Sequence, residues 1–408
     1  MNLKGSDTKI ILLTDSFPSA NGGGISQTLF NLLHPLRRQV MVMTDKRENN
    51  LVEENSMPTI FYELKTWGPA NGRVEAMLNR LWPSRQFEWV QSHAEIFTKK
   101  LPSKEKLLIL VSTTVTLKLQ IAWCLMKLGY KVVPYFMDDW LAGVKLQWKN
   151  GNIQRVACEL LSEAPGWLVI SENLKKTFKV RYHLKEKPCL VIHNPSPAVN
   201  TTELNCVGME PGYCIIYAGS IWPMHYDALL ATARAISKLH SEVNINYRLL
   251  IYTPAWMWNK HKKTMCLPGI EYGGYIAYND LQPRLRRGWL LLCTASFIEE
   301  QAAFSHSSTQ TKLTDYMASG RPVLYVGPPG GASGIFVEEA DCGFTVGTDN
   351  LNSIADHIET ITMMQDLWTR KSANALKLAE SVYSQQAVQR KLYQFLGKML
   401  NQETEKSQ

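Results

Sequence analysis

The residues best equipped for chemistry lie in Thr311-Lys312-Leu313-Thr314-Asp315-Tyr316-Met317-Ala318-Ser319-Gly320-Arg321-Pro322-Val323-Leu324. The stretch reads as a helix with an acid, Asp315, on its first turns, stopped at Ser319-Gly320 and followed by a short buried strand. Gly320 suits the left-handed residue just past a helix end, and Pro322 keeps the helix from resuming. Phe304-Ser305-His306-Ser307-Ser308-Thr309-Gln310 forms a polar approach to it. Such a helix can hold a ribose hydroxyl and an adjacent phosphate.

Two earlier stretches offer further groups. In Thr14-Asp15-Ser16-Phe17-Pro18-Ser19-Ala20-Asn21-Gly22-Gly23-Gly24-Ile25, glycines opening onto a helix let backbone N–H groups approach an anion. Gly23 and Gly24 are the candidates for an anion contact; a loop without a ligand is the plainer alternative. The spacing is not Gly-x-Gly-x-x-Gly, which counts against a dinucleotide-binding dehydrogenase. In Val133-Pro134-Tyr135-Phe136-Met137-Asp138-Asp139-Trp140, two adjacent acids past a buried strand cannot point the same way. Asp138 is chosen as the cleft-facing group, an acceptor-binding residue or general base. The alternative is a helix cap, which aspartate also favours.

These groups need a scaffold, and the pattern supplies one. Strands are expected at Ile10–Thr14, Val40–Thr44, Leu107–Val111, Val132–Phe136, Gly166–Ile170 and Cys189–Ile192, alternating with helices such as Ile25–Leu36, Leu117–Leu128 and Glu172–Tyr182. Prolines and hydrogen-bonding side chains crowd His193–Pro211 and mark a linker. A second alternating series follows, from Cys214–Ala218 through Tyr247–Tyr252, Trp289–Cys293 and Val323–Val326, with a helical tail from Leu351 onward. Asp227 is expected as a helix cap. Alternation of this kind builds parallel sheets with helices on both faces. Two such domains imply a cleft, where ligands bind beyond the carboxyl ends of the strands.

The segments "TDSFPSANGGGI", "ISENLKKTFKVRY", "VIHNP" and "TKLTDYMASGRPVL" together resemble nucleotide-sugar glycosyltransferases of family 4, glycosyl transferases group 1. The resemblance implies an α/β GT-B fold of two Rossmann-like, doubly wound parallel-sheet domains with an interdomain cleft. Residues 1–193 would form the acceptor-side domain, completed by the helix 384–408. Residues 194–211 would be the linker, and 212–383 the donor-binding domain. Asp315 aligns with the family's second glutamate, which receives ribose hydroxyls; Ser307 stands where the first should be. Gly219 and Ser220 match the start of the donor diphosphate loop, but the family's Arg and Lys are absent there. Ser220 and His225 are the polar substitutes. Some members carry a Ser-x-x-x-Thr-Lys-Leu segment like this one, which implies a phosphate role for Ser308, Thr311 and Lys312 at a helix start. Arg321 is the other available cation; a solvated surface lysine is the alternative for Lys312. Tyr275, after a strand, is the implied base-stacking residue, or else a core aromatic.

The implied activity is transfer of a sugar from a nucleotide diphosphate donor to a hydroxyl of a glycan, lipid-linked glycan or small molecule, with hexosyltransferase chemistry. No metal or other cofactor is expected, no Asp-x-Asp is present, and retention of configuration is implied. Bacterial polysaccharide biosynthesis is the expected setting. A nucleotide-sugar 2-epimerase and a non-catalytic binding subunit remain alternatives.

Composition narrows the setting. A chain of 408 residues is too long for one ordinary core. With 45% hydrophobic and 20% charged residues it is globular. The net charge of +8 suits anionic ligands or an anionic membrane surface. No nucleic-acid-binding signature is present. Eight scattered cysteines, without a Cys-x-x-Cys pair, suit a reducing compartment and no zinc site. No bilayer-spanning stretch is evident. A cytoplasmic protein is expected, with peripheral association at the inner membrane face as an addition. Trp67, Trp82, Trp89, Trp140 and Trp148 hint at sugar stacking or membrane contact in the first domain.

Overall fold

A computed structural model describes residues 9–20, 22–44, 59–61, 91, 94, 98, 101, 107–143, 151–199, 209–243 and 245–401. The tryptophans at 67, 82, 89 and 148 lie outside these residues. The chain divides into two units, Met1–Ile192 with Gln389–Gln408, and His193–Val388.

The first unit is built on a seven-stranded parallel sheet. Its strands are β1 (Lys9–Thr14), β2 (Val40–Thr44), β3 (Thr59–Phe61), β4 (Leu107–Ser112), β5 (Lys131–Phe136), β6 (Trp167–Val169) and β7 (Cys189–Val191), in the order β3-β2-β1-β4-β5-β6-β7. β4, Leu-Leu-Ile-Leu-Val-Ser, is buried along its whole length, as a strand covered on both faces must be. The order reverses between β1 and β4, so the loops after these two strands splay apart and leave a crevice. Lys118 crosses from the helix Thr116–Lys127 and donates from Nζ to the Thr14 carbonyl at 3.1 Å. The last helix, Gln385–Asn401, belongs to this unit from Gln389 on. There Gln389 Nε2 donates to the Asn31 carbonyl at 2.6 Å and the Tyr393 hydroxyl to that of Leu32 at 3.0 Å.

The second unit has a six-stranded parallel sheet, β8 (Tyr213–Ala218), β9 (Tyr247–Tyr252), β10 (Ile270–Gly274), β11 (Leu290–Thr294), β12 (Val323–Val326) and β13 (Gly343–Val346), in the order β10-β9-β8-β11-β12-β13. Its switch point lies between β8 and β11. One face packs Ala228, Leu229 and Ile236 of the helix Pro223–Glu242 against Ile215 and Leu249. The other packs Leu313, Tyr316 and Met317 of the helix Lys312–Ala318 against Leu291 and Val323. Burial of each such side chain contributes about 1.5–3 kcal/mol, which anchors the helix that carries Lys312 and Asp315. Gly320 ends that helix at φ +69°, its N–H bonded to the Met317 carbonyl.

Several elements depart from the sequence expectation. β13 is a short edge strand only half-buried in its middle, so it shows no apolar run. The helix Ala255–Met265 hides its buried Met257, Trp258 and Met265 among lysines. The helix expected from Asp227 begins at Pro223, whose fixed φ suits a first helical position. Asp227 is therefore no cap; its Oδ2 accepts from the Phe297 N–H at 2.8 Å and ties down the loop after β11. No described helix is long and apolar enough to cross a membrane.

Candidate functional site

In the second unit, polar groups gather where β8 and β11 end. The turn after β8 passes through Gly219 at φ +144°, a conformation that needs glycine. A Cβ there would fall 3.0 Å from Lys312 Nζ, closer than ordinary van der Waals contact, so only glycine fits beside the ammonium without crowding it. The Gly219 N–H is engaged with the Tyr252 carbonyl at 3.0 Å. The Gly219 amide is thus engaged within the sheet, and the residue's part in the turn is its lack of a side chain. The Ser220 carbonyl accepts from the Tyr217 hydroxyl at 2.7 Å.

Lys312 is not a solvated surface lysine. Its Nζ is buried without a hydrogen-bond partner among the described residues, 4.0 Å above the Tyr217 ring. Burial pushes its pKa down to about 8, partly offset by the neighbouring Cys293. An unpaired buried ammonium is costly, and an entering anion is the natural relief. His225 Nδ1 lies 3.0 Å from the Thr294 carbonyl, so that nitrogen carries the hydrogen. Burial first, and then the charge of Lys312, push the imidazole down to about 3, which makes it neutral. Gln310 Nε2 donates to the same carbonyl at 2.7 Å, while Gln310 Oε1 and Ser308 Oγ are buried without partners among the described residues. Thr311 sits at the helix start and makes no side-chain cap bond. Lys312, His225, Gly219 and Ser220 thus share one cradle, with Ser308, Gln310 and Thr311 on its approach.

Asp315 lies one turn further along its helix, 5% exposed. Its Oδ1 accepts from the Tyr278 hydroxyl at 2.9 Å, and Gln282 Nε2 donates to its carbonyl at 2.9 Å. Burial raises its pKa to about 7, with the Tyr278 bond acting the other way. Tyr275 is no core aromatic, being 65% exposed past β10. Ser307 is buried, its hydroxyl donating to the Ala303 carbonyl, and Glu299 and Glu300 stand exposed in their own short turn. Arg321 is spoken for: its Nε donates to the Arg286 carbonyl at 2.8 Å.

The first unit has its own crevice, at the ends of β1, β4 and β5, with Asp15, Ser16, Ile25, Thr114, Asp138 and Trp140 on its wall. Ile25 follows directly on Gly24, which with Gly23 lies exposed at the helix start beside it. Asp15 accepts from the Thr114 N–H and hydroxyl, each at 3.1 Å. The paired acids divide their tasks. Asp139 is buried, forms a two-bond pair with Arg181 at 2.6 and 2.7 Å, and accepts from the Ala142 N–H at 3.3 Å. Asp138 is the half-buried one that reaches the crevice.

Sequence reasoning missed Tyr217, Tyr278, Asp15 and Thr114. Thr114 meets Asp15 across 99 positions, Tyr278 meets Asp315 across 37 and Tyr217 meets the distant Lys312, and only the Tyr278–Asp315 pair carried a hint, in the motif acid itself.

The comparisons with known proteins bear on the fold. Residues 212–363 match the family model described as Glycosyl transferases group 1. None of the curated proteins matches the sequence. Among solved structures, Anabaena HepE in complex with UDP-glucose aligns with TM-score 0.66 and 14% identity, over 95% of this chain and 99% of that one. A glycosyltransferase from Rickettsia africae ESF-5 aligns with TM-score 0.68 and 13% identity, over 98% and 100%. Sucrose-phosphate synthase from Thermosynechococcus elongatus aligns with TM-score 0.67 and 14% identity, over 96% and 99%. At these identities the likeness is one of fold. The chain has the GT-B fold of these glycosyltransferases, and the family match within it is confined to residues 212–363.

Proposed function

We propose that the protein transfers a sugar from a nucleoside diphosphate sugar to a hydroxyl of a glycan, lipid-linked glycan or small-molecule acceptor. The observation that carries this reading is Lys312 Nζ, buried beside Gly219 at the end of β8 and unpaired among the described residues. The diphosphate lies against Lys312, with Ser308 and Thr311 on its flank, and Asp315 receives the ribose hydroxyls. Tyr275, exposed past β10, stacks on the base. As the glycosidic bond breaks, negative charge grows on the leaving diphosphate, and a preorganised cation there stabilises it. That positive charge comes from the protein, so transfer needs no metal. Asp138, in the crevice of the first unit, orients the acceptor hydroxyl or accepts its proton. The configuration at the anomeric carbon is retained.

HepE binds UDP-glucose, which makes UDP-sugars the first donors to test. Incubation with UDP-, GDP-, ADP- and TDP-sugars, with and without EDTA and with a panel of glycan and lipid-linked acceptors, should release one nucleoside diphosphate. NMR of the product then gives its anomeric configuration. Release of no nucleotide from any donor would count against the proposal. Epimerisation of the donor alone would point to a 2-epimerase. Liposome flotation reports whether the chain works at a membrane surface.

A non-catalytic binding subunit is favoured by one observation, the buried Ser307 where the family has its first glutamate. Nucleotide binding without turnover would support it.

A further inference from the structure

Among the described residues, the ammonium of Lys312 has no counter-ion. Its Nζ has no hydrogen-bond partner among the described residues and lies 4.0 Å over the Tyr217 ring. Tyr217 is fully buried near the end of β8. Its hydroxyl donates to the Ser220 carbonyl at 2.7 Å. One side chain thus lies under the cation and also grips the turn that the cation faces.

From these contacts we propose that Tyr217 is the positioning residue of the anion cradle, holding Lys312 by its ring face and the Gly219–Ser220 turn by its hydroxyl. The inference rests on the reading of this unit as a nucleoside diphosphate site. A carboxylate in the same place would fix Lys312 equally well but would neutralise it and compete with phosphate. An aromatic face attracts an ammonium through its quadrupole and carries no net charge, so the full positive charge remains for an entering ligand. The ring also restrains a long, flexible lysine stem that would otherwise carry its head toward water. The hydroxyl does the second half of the task. It fixes the carbonyl of the residue just past Gly219, where a Cβ would crowd Nζ at 3.0 Å. Two other titratable groups face Lys312, His225 and Cys293; the first is neutral, and burial holds the second as a thiol, so neither substitutes for the ring.

The test uses the full chain with UDP as probe, by calorimetry, in Tyr217→Phe, Tyr217→Leu, Lys312→Met and the Tyr217→Leu/Lys312→Met double variant. The Lys312 ammonium is titrated in parallel by NMR. Tyr217→Leu should weaken UDP binding roughly tenfold when Lys312 is present and hardly at all in the Lys312→Met background, and it should shift the Lys312 titration midpoint. Tyr217→Phe should leave that midpoint in place and weaken UDP by only about threefold. An equal loss in both backgrounds, with an unmoved midpoint, would mean that Tyr217 merely packs. Should the leucine variant not fold, Tyr217→Phe decides, because unchanged UDP binding there would overturn the proposal. If the unsubstituted chain binds no UDP, GDP, ADP and TDP take its place as probe; if none of the four binds, the nucleotide reading fails, and the Lys312 midpoint in Tyr217→Leu still decides the positioning.

Discussion

Tyr278 donates its hydroxyl to Oδ1 of Asp315 at 2.9 Å. The bond joins the short 3-10 turn Tyr278–Asp280 to the helix that carries Lys312. It gives a buried carboxylate one strong donor where ribose hydroxyls would supply others. The donor offsets only part of the burial cost, and the carboxyl stays raised, to about 7.

Stability should record this. The folded carboxyl keeps its proton up to about pH 7, whereas an ordinary one releases it near 3.8. Between these values the folded state binds more protons, so stability falls as pH rises through that window, by up to about 1.4 kcal/mol per pH unit. Asp315→Asn should remove this slope in a denaturant series at pH 4 to 8. It should also weaken nucleotide binding at pH 8, where the wild-type carboxylate is ionised. Equal slopes in both proteins would refute the assignment.

Lys312 should give the opposite dependence. Its folded pKa of about 8 lies below the ordinary 10.5, so the unfolded state binds more protons between these values and stability rises with pH across them. Binding of a diphosphate needs the ammonium, and affinity should fall by about tenfold per pH unit above 8. Calorimetry from pH 7 to 9.5 checks this; a flat profile, or one shared with Lys312→Met, would contradict it.

Gly219→Ala places a methyl group 3.0 Å from Lys312 Nζ in a backbone conformation of φ +144°. The strain should cost about 1–3 kcal/mol of stability. UDP binding should fall further than in Gly330→Ala, where φ is +75° and a Cβ meets nothing within 4 Å. Comparable UDP affinity in the two variants would show that Gly219 does not border the anion site.

The adjacent acids should separate cleanly. Asp139→Ala strands the Arg181 guanidinium in a half-buried site and should destabilise the protein by about 3–5 kcal/mol. Asp138→Asn should leave the melting temperature nearly unchanged while lowering transfer to the acceptor, with UDP affinity intact. Melting curves and kinetics on both variants check this, and the reverse pattern would exchange the two roles.

Much of the fold was legible because strands buried on both faces read as apolar runs, as in Ile10–Thr14, Leu107–Val111 and Val323–Val326. The helix stop at Gly320 was legible for a local reason, its positive φ. β13 was not, since an edge strand with a half-exposed middle needs no such run. Asp227 misled because a capping type stood near a helix whose start Pro223 had already set. In the site, Lys312 and Asp315 came from the motif, but their environments did not. Tyr217 and Tyr278 meet them only through the packing of remote strands and turns, and the pairing of Asp139 with Arg181 spans 42 positions. Contacts of that separation leave no local periodicity to read.

The most direct measurement is a calorimetric titration of UDP, GDP, ADP and TDP into the wild type and Lys312→Met at pH 7. One nucleoside diphosphate should bind the wild type and bind the variant at least about thirtyfold more weakly, as loss of a buried charge contact requires. The apo variant should melt no lower than the wild type, because an unpaired buried charge has been removed. Equal affinities in the two proteins, or no binding of any of the four by the wild type, would contradict a diphosphate site built on Lys312.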